Sequence, residues 1–407
     1  MDYRPLHEII NVNNKISFTD KQPLIYDTTT FKAYDGKKEI FITKEERNNI
    51  YSWKTQYILI NKSDNKNLTL QDEYNKFIED ANILKNETND EINLYKTGNN
   101  KTTALNLFYN YNKHIITDNI KQLEAEYINY ASVGALMYAE KGEYNTNVYK
   151  YDVCSMYPSI MNSGQLFPIK EGEFKFLSND EFTKIEFPLY GLYRCKIGGY
   201  NKLLKHNFNN YYTHIDIKLA KELKLNIELL HDTQPNFLYY SRDKLITGCE
   251  IFRQYVELLF NLKQRREKRK QILNILWGSF CETKNKTLHI NNNDIKIKII
   301  DGYIKIIKIK PFNDNETIIE YVENDKQFYS NYARMKPFIL SKARYILHNL
   351  IKNDINNIIW IRTDGWITKT ENTSLNALNN LGCVKFEGKT NNLYIHNLNK
   401  IIGEFKI

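Results

Sequence analysis

Three short stretches carry residues whose types and spacing could do chemistry on a phosphorylated substrate. In Tyr151-Asp152-Val153-Cys154-Ser155-Met156-Tyr157-Pro158-Ser159-Ile160 a carboxylate is followed by a hydroxyl, an aromatic ring and a proline. The residues Asn147-Val148-Tyr149-Lys150-Tyr151 before it are β-prone, and Pro158 suits the first turn of a helix. Asp152 should therefore stand where a strand ends and a helix begins. Carboxylate oxygens there would suit a hard divalent cation, and the N–H groups of the turn and helix start would suit phosphate oxygens. A bare aspartate in that place would more simply be a strand-end cap.

The second stretch runs from Leu262 to Gly278, and six of the eight residues 263–270 are basic. On a helix, Lys263, Arg266, Lys270, Asn274 and Trp277 fall within an arc of roughly 80°. Three cations, an amide and a ring in one line could neutralise a leaving pyrophosphate and pack against a nucleoside. A solvated basic face, or a non-specific patch for nucleic acid, would read the same way in isolation. The third stretch, Asn357-Ile358-Ile359-Trp360-Ile361-Arg362-Thr363-Asp364-Gly365-Trp366-Ile367-Thr368, is two apolar strands meeting at an Asp-Gly turn. Alone it is a structural hairpin.

Together, and in this order, the three resemble the palm and fingers motifs of family B DNA polymerases. Asp152-x-x-Ser155-Met156-Tyr157-Pro158-Ser159 is similar to the first palm motif, Asp-x-x-Ser-Leu-Tyr-Pro-Ser, with Met for Leu. Lys270-x-x-x-Asn274-x-x-Trp277-Gly278 resembles the fingers motif Lys-x-x-x-Asn-Ser-x-Tyr-Gly, with Ile275 for Ser and Trp277 for Tyr. The hairpin resembles Tyr-x-Asp-Thr-Asp-Ser, with Trp360 for Tyr, Arg362 for the first Asp and Gly365 for Ser. The resemblance implies template-directed transfer of deoxyribonucleotides to a 3′-OH, with Asp152 and Asp364 holding two Mg²⁺ ions, or Mn²⁺ in their place. It counts Val153 in the metal site. Ser155, Met156, Tyr157, Lys270, Asn274 and Trp277 would hold the nucleotide, with Lys263 and Arg266 as candidates for a second phosphate-binding cation. Tyr157 would lie under the sugar and exclude a 2′-OH. DNA contacts would come from Gly134, Gly278, Thr363, Lys389 and Tyr394. Gly134 stands in the turn Ser132-Val133-Gly134-Ala135, which is matched to the family's Tyr-x-Gly-Gly. Arg362 is a cation where the family has a carboxylate; it would weaken metal binding unless it turns away or is neutralised.

The elements that must position these residues give an α+β, or mixed α/β, fold: a right-hand polymerase with a palm and short fingers, a small N-terminal α/β lobe, and a thumb absent or minimal. The expected divisions are 1–101 for the N-terminal lobe, 102–200 and 281–407 for the two parts of the palm, 201–248 for a palm connection and 249–280 for the fingers. In the lobe, Lys37 to Ile42 and Thr55 to Ile60 read as strands, and the polar stretch Asn61 to Asn100 reads as a helical or irregular surface connection. The family's proofreading exonuclease needs clustered carboxylates beginning with Asp-x-Glu. Asp27-Thr28-Thr29 lacks the Glu, and Glu124-Ala125-Glu126 lies in a helical segment, so a vestigial or replaced lobe without nuclease activity is expected. Further on, Tyr212 to Ile217 reads as a strand, Leu219 to Leu223 as a helix, and Met335 to Arg344 as a palm helix.

At 407 residues and 42% hydrophobic, the chain can bury a large core. A net charge of +9 agrees with a polyanionic partner, although abundant Lys and Asn in an AT-rich coding sequence would inflate it. Five cysteines without paired metal spacing fit a reduced compartment, and no run of about 18 apolar residues occurs. The expected protein is soluble and intracellular, with no membrane partner. It would act on primer-template DNA and dNTPs, with a terminal protein or a processivity partner as further candidates. Two other classes share these features: an inactive palm serving as a nucleic-acid-binding scaffold, and a primer-making or template-independent nucleotidyltransferase.

Overall fold

The computed structural model describes residues 20–43, 57–63, 67–263, 267–291, 304–311, 316–323, 327–372 and 380–407. The chain forms two compact units, Met1–His114 with Glu257–Ser279, and Ile115–Val256 with Phe280–Ile407.

In the first unit, β1 (Gln22–Tyr26), β2 (Lys32–Tyr34), β3 (Glu39–Phe41) and β4 (Tyr57–Asn61) form a sheet in the order β3-β2-β1-β4, with β4 parallel to β1. The polar stretch expected as a surface connection is mostly an 18-residue helix, Leu70–Glu87, that packs on β1 and β2. Thr69 starts it: its hydroxyl accepts from the Asp72 N–H, while the Asp72 carboxylate accepts from the Thr69 N–H. Phe77, Ala81 and Leu84 line its buried face, so a narrow apolar stripe was hidden by polar neighbours. Asp27 caps a turn, accepting from the N–H groups of Thr29 and Thr30 at 2.8 and 3.3 Å. The helix Asn100–Tyr111 follows, and the helix Glu267–Ser279 packs against it. Arg269 is fully buried in that contact region; it donates to the Leu262 carbonyl at 2.8 Å and pairs with Glu87. One member of the basic run is thus structural.

The second unit is built on an antiparallel sheet of β5 (Met137–Ala139), β6 (Val148–Val153), β7 (Ile358–Arg362), β8 (Gly365–Thr368) and β9 (Val384–Thr390), in the order β9-β6-β8-β7-β5. The helix Lys336–Ile351 packs on the helices Met156–Met161 and His214–Glu222. A second sheet is centred on the strand Gly191–Gly198, and a three-stranded sheet joins Lys286–Asn291, Ile304–Pro311 and Glu316–Glu323. The strand expected over Tyr212 to Ile217 ends early, at Thr213, because Thr213 and Asp216 form a reciprocal cap that begins a helix at His214. Among the described residues no helix is long and apolar enough to cross a membrane.

A buried ion pair ties this unit together. Arg334 and Glu124 are both 0% exposed and meet through two hydrogen bonds, at 2.8 and 2.7 Å. Arg334 also donates to the carbonyls of Asp118 and Asn119, and Glu124 accepts from the Tyr240 hydroxyl at 2.9 Å. Glu124, one of the two glutamates with exonuclease-like spacing, is thus taken up by the core. Arg334→Leu would leave a buried carboxylate unpaired and should cost about 3–5 kcal/mol. The double variant Glu124→Gln/Arg334→Met should recover most of that loss. Urea unfolding midpoints of the three proteins check this, and equal midpoints for the single and double variants would contradict it.

Candidate active site

Strand β6 ends at Val153 and the helix Met156–Met161 begins three residues later, so Asp152 occupies the expected strand-to-helix junction. Between them Ser155 turns through the left-handed region, at φ 50° and ψ 54°. The hairpin from β7 to β8 differs from the sequence expectation. Arg362 pairs with Gly365, so the two loop residues are Thr363 and Asp364, and Gly365 already belongs to β8. Thr363 has φ 62°, a strained conformation for a β-branched residue, costing on the order of 1–3 kcal/mol.

Strand pairing holds that strain. Gly365 is directly opposite Asp152, and the Val153 N–H donates to the Asp364 carbonyl at 3.0 Å. Thr363 N–H donates to Leu136 at 3.3 Å. A Cβ on Gly365 would lie 3.2 Å from Asp152 Oδ1 and 3.2 Å from the Tyr151 carbonyl, so glycine is what lets the two strands approach without crowding the carboxylate. Behind the pair, Tyr151 stacks on Trp366 with ring centroids 5.5 Å apart. The Val153 and Cys154 N–H groups donate to the carbonyls of Asp364 and Cys383, so these two are already engaged within the protein.

The electrostatics report the crowding of negative charge. The Asp152 carboxyl is pushed up to about 7, first by burial, then by Asp364 and Glu387, against the opposing charges of Lys150 and Lys385. Glu387 on β9 was not singled out from the sequence. Burial acts to raise its carboxyl, but Lys150, at 2.9 Å, and Lys385, at 3.7 Å, prevail and hold it below its ordinary value. The available signal was the alternation Lys385-Phe386-Glu387 in a β-prone run, which puts both charges on the strand face opposite Phe386. Arg362 is exposed and makes no ion pair among the described residues.

Tyr157 is half-buried. Its hydroxyl is pushed up to about 12 by burial and then by Asp364, with Arg344 opposing. Arg344, also unmarked in the sequence reading beyond its place in a palm helix, joins distant pieces. It donates to Asp216 at 2.8 and 3.1 Å and to the carbonyls of Val133 and Gly134 at 2.7 and 3.0 Å. The Gly134 turn is therefore clamped from behind, while space in front of Gly134 is open for at least 4 Å. Met156 is buried, and Ser155 is half-exposed. Lys389 pairs through its main chain with Lys406, and Tyr394 lies in the strand Leu393–Asn397 beside the His396 ring.

The other expected nucleotide ligands belong to the first unit. On the helix Glu267–Ser279, Ile272, Leu273 and Leu276 face inward, while Lys270, Asn274 and Gly278 are exposed and Trp277 is half-exposed. Lys263 ends the helix Gly248–Lys263, but its side chain lies outside the described residues, as does Arg266.

Among the described residues no group of three or more His, Cys, Asp or Glu is arranged to hold a metal ion. A divalent cation would depend on Asp152 and Asp364. Their oxygens are hard donors, and the mutual repulsion that raises Asp152 is what a bound cation would relieve, so the pair fits Mg²⁺ or Mn²⁺.

No protein-family model and no curated protein matches the chain. Among solved structures it is similar to phi29 DNA polymerase complexed with single-stranded DNA, at 16% identity over 84% of this chain and 60% of that one, with a TM-score of 0.57. It is also similar to phi29 DNA polymerase complexed with primer-template DNA and incoming nucleotide substrates, at 15% identity over 91% of this chain and 62% of that one, with a TM-score of 0.56. The likeness is one of fold: a mixed α/β architecture shared with a DNA polymerase. The chain spans 60–62% of the length of these structures.

The raised Asp152 carboxyl has a measurable consequence in metal-free buffer. Its ordinary value is 3.8, so between about pH 4 and 7 the folded chain keeps a proton that the unfolded chain releases, and stability falls as pH rises through that window. Asp152→Asn should melt with the parent near pH 4 and above it near pH 8. Thermal melts in EDTA across this range check the sign; a gap that does not change with pH would contradict it.

Proposed function

We propose that the protein is a template-directed DNA polymerase that adds dNTPs to a 3′-OH, or to a protein hydroxyl, by two-metal phosphoryl transfer and without proofreading. The observation that carries this reading is the strand register that sets Gly365 against Asp152 and so brings Asp152 and Asp364, far apart in sequence, into electrostatic contact. The fold likeness to a DNA polymerase supports it, and comes from a comparison independent of the motifs.

In this reading Asp152 and Asp364 would hold two divalent ions, which supply charge neutralisation at the triphosphate and activation of the primer hydroxyl. Tyr157, with its neutral hydroxyl and its place near Asp364, is the proposed steric gate against ribonucleotides. Arg344 acts behind Gly134 as a positioning residue for the template-side turn. Lys270, Asn274 and Trp277 are proposed for the triphosphate and the nascent pair on the strength of the sequence motif alone. Arg362 is proposed as a contact for a primer or triphosphate phosphate, since its exposed guanidinium is free of ion pairs among the described residues. Primer-template DNA and dNTPs are the proposed substrates, with a terminal protein or a processivity factor as a candidate partner.

Primer extension on a short DNA template with Mg²⁺ or Mn²⁺, each dNTP offered singly, tests the reading. The parent should add only the templated nucleotide, Asp152→Ala and Asp364→Ala should drop to background while retaining DNA binding, and Tyr157→Ala should use ribonucleotides more readily. No extension by the parent despite tight DNA binding would instead favour the scaffold, and extension without a template would favour the template-independent transferase.

A further inference from the structure

A loop far in sequence from both aspartates is built in a way that catalysis does not require. The strands Gly191–Gly198 and Tyr211–Thr213 pair directly, with Arg194 opposite Tyr211, so the segment between them closes on itself. Its interior is firmly anchored. Leu203 and Leu204 are buried, and the buried Asn207 donates to the carbonyls of Tyr130 and Tyr211 and takes the place of a turn for Asn209. Yet the rings on either side of that anchor stand in solvent: Tyr200 is 80% exposed and Phe208 fully so.

Single exposed apolar residues are ordinary, but here two rings sit on one ordered loop with a one-sided charge. From Lys196 to Asn210 the sequence holds Lys196, Lys202, Lys205 and His206 and no carboxylate. Lys202 lies 5.1 Å over the ring of Tyr138, on β5. The Tyr138 hydroxyl is raised by burial and then by Glu140 and Tyr200. At the foot of the loop is an open recess of about 420 Å³ lined by Lys196, Asn210, Asn226 and Glu228 among others, with amide and charged groups able to meet a base edge. Exposed rings interleaved with lysines, next to a polar recess, have the chemistry of a stacking platform for unpaired bases with cations for the phosphates between them.

We propose that the loop between Gly198 and Tyr211 is a binding surface for single-stranded nucleic acid, with bases stacked on Tyr200 and Phe208 and phosphates held by Lys202 and Lys205. It deepens the polymerase reading, because a template-directed enzyme must hold a strand that is not yet paired, but it is tested by binding rather than by catalysis.

The experiment is a fluorescence anisotropy titration of the full chain in EDTA against labelled dT20 and against a 20-mer of abasic sugar-phosphate. The parent should bind dT20 the more tightly. Tyr200→Ala/Phe208→Ala should weaken dT20 at least about tenfold, as expected for loss of stacking, and leave the abasic strand within twofold. Tyr200→Phe should retain dT20 affinity, and thermal melts should be unchanged because both rings are exposed. Unchanged dT20 binding in the double variant, equal losses on both strands, or no preference of the parent for dT20 would overturn the proposal. Base-dependent binding by a parent that fails to extend primers would leave this surface standing and the polymerase reading fallen.

Discussion

The second unit depends on bringing two carboxylates together against their own repulsion. Asp152 and Asp364 meet because β6 and β8 lie in one register, and a slip of one residue would send every side chain of β8 to the opposite face of the sheet. Several features keep that register. Trp366 and Tyr151 stack across the strands, Gly365 leaves space at the carboxylate, and β9 closes the other side of β6. Left-handed Ser155 and Thr363 flank the pair, one on each chain segment, and neither conformation would persist without the surrounding hydrogen bonds.

Two buried arginines hold the frame in which this register forms. Arg334 fixes the helix Gln122–Ala131 through Glu124, and Arg344 fixes the helix His214–Glu222 through Asp216 while gripping the Gly134 turn. Both lie within twenty residues of each other, one just before and one within the helix Lys336–Ile351. That helix therefore acts as a polar spine. Arg334, just before the helix, and Arg344, within it, reach to segments that precede it by more than a hundred residues.

The site's local elements were legible because they obey short-range rules. A β-prone run followed by a proline marked the junction at Asp152, and the 100° period placed Lys270 and Asn274 on a face that is indeed exposed. What depends on long-range partners was not legible. Asp-Gly is the usual turn pair, yet the turn sits at Thr363-Asp364 because pairing with β6 outweighs local preference. Glu387 and Arg344 acquire their roles only through strands and helices far off in the chain. Arg269 looked like its basic neighbours, and its burial beside the Glu87 carboxylate of another helix is a long-range outcome that the basic run does not signal. For Asn61 to Asn100 the sequence left helix and irregular connection open, because the apolar stripe of the helix Leu70–Glu87 rests on four buried residues among many polar ones.

The first unit is made of two separate pieces of chain, Met1–His114 and Glu257–Ser279. This has a consequence for the order of events on the ribosome. The N-terminal lobe emerges first, but the helix that covers Asn100–Tyr111, and the arginine that neutralises Glu87, come only after some 140 residues of the other unit have been made. Vectorial, N-terminal-first folding therefore cannot complete this lobe. It must wait with an uncovered helix face until the later segment arrives, so the two units of the chain mature together.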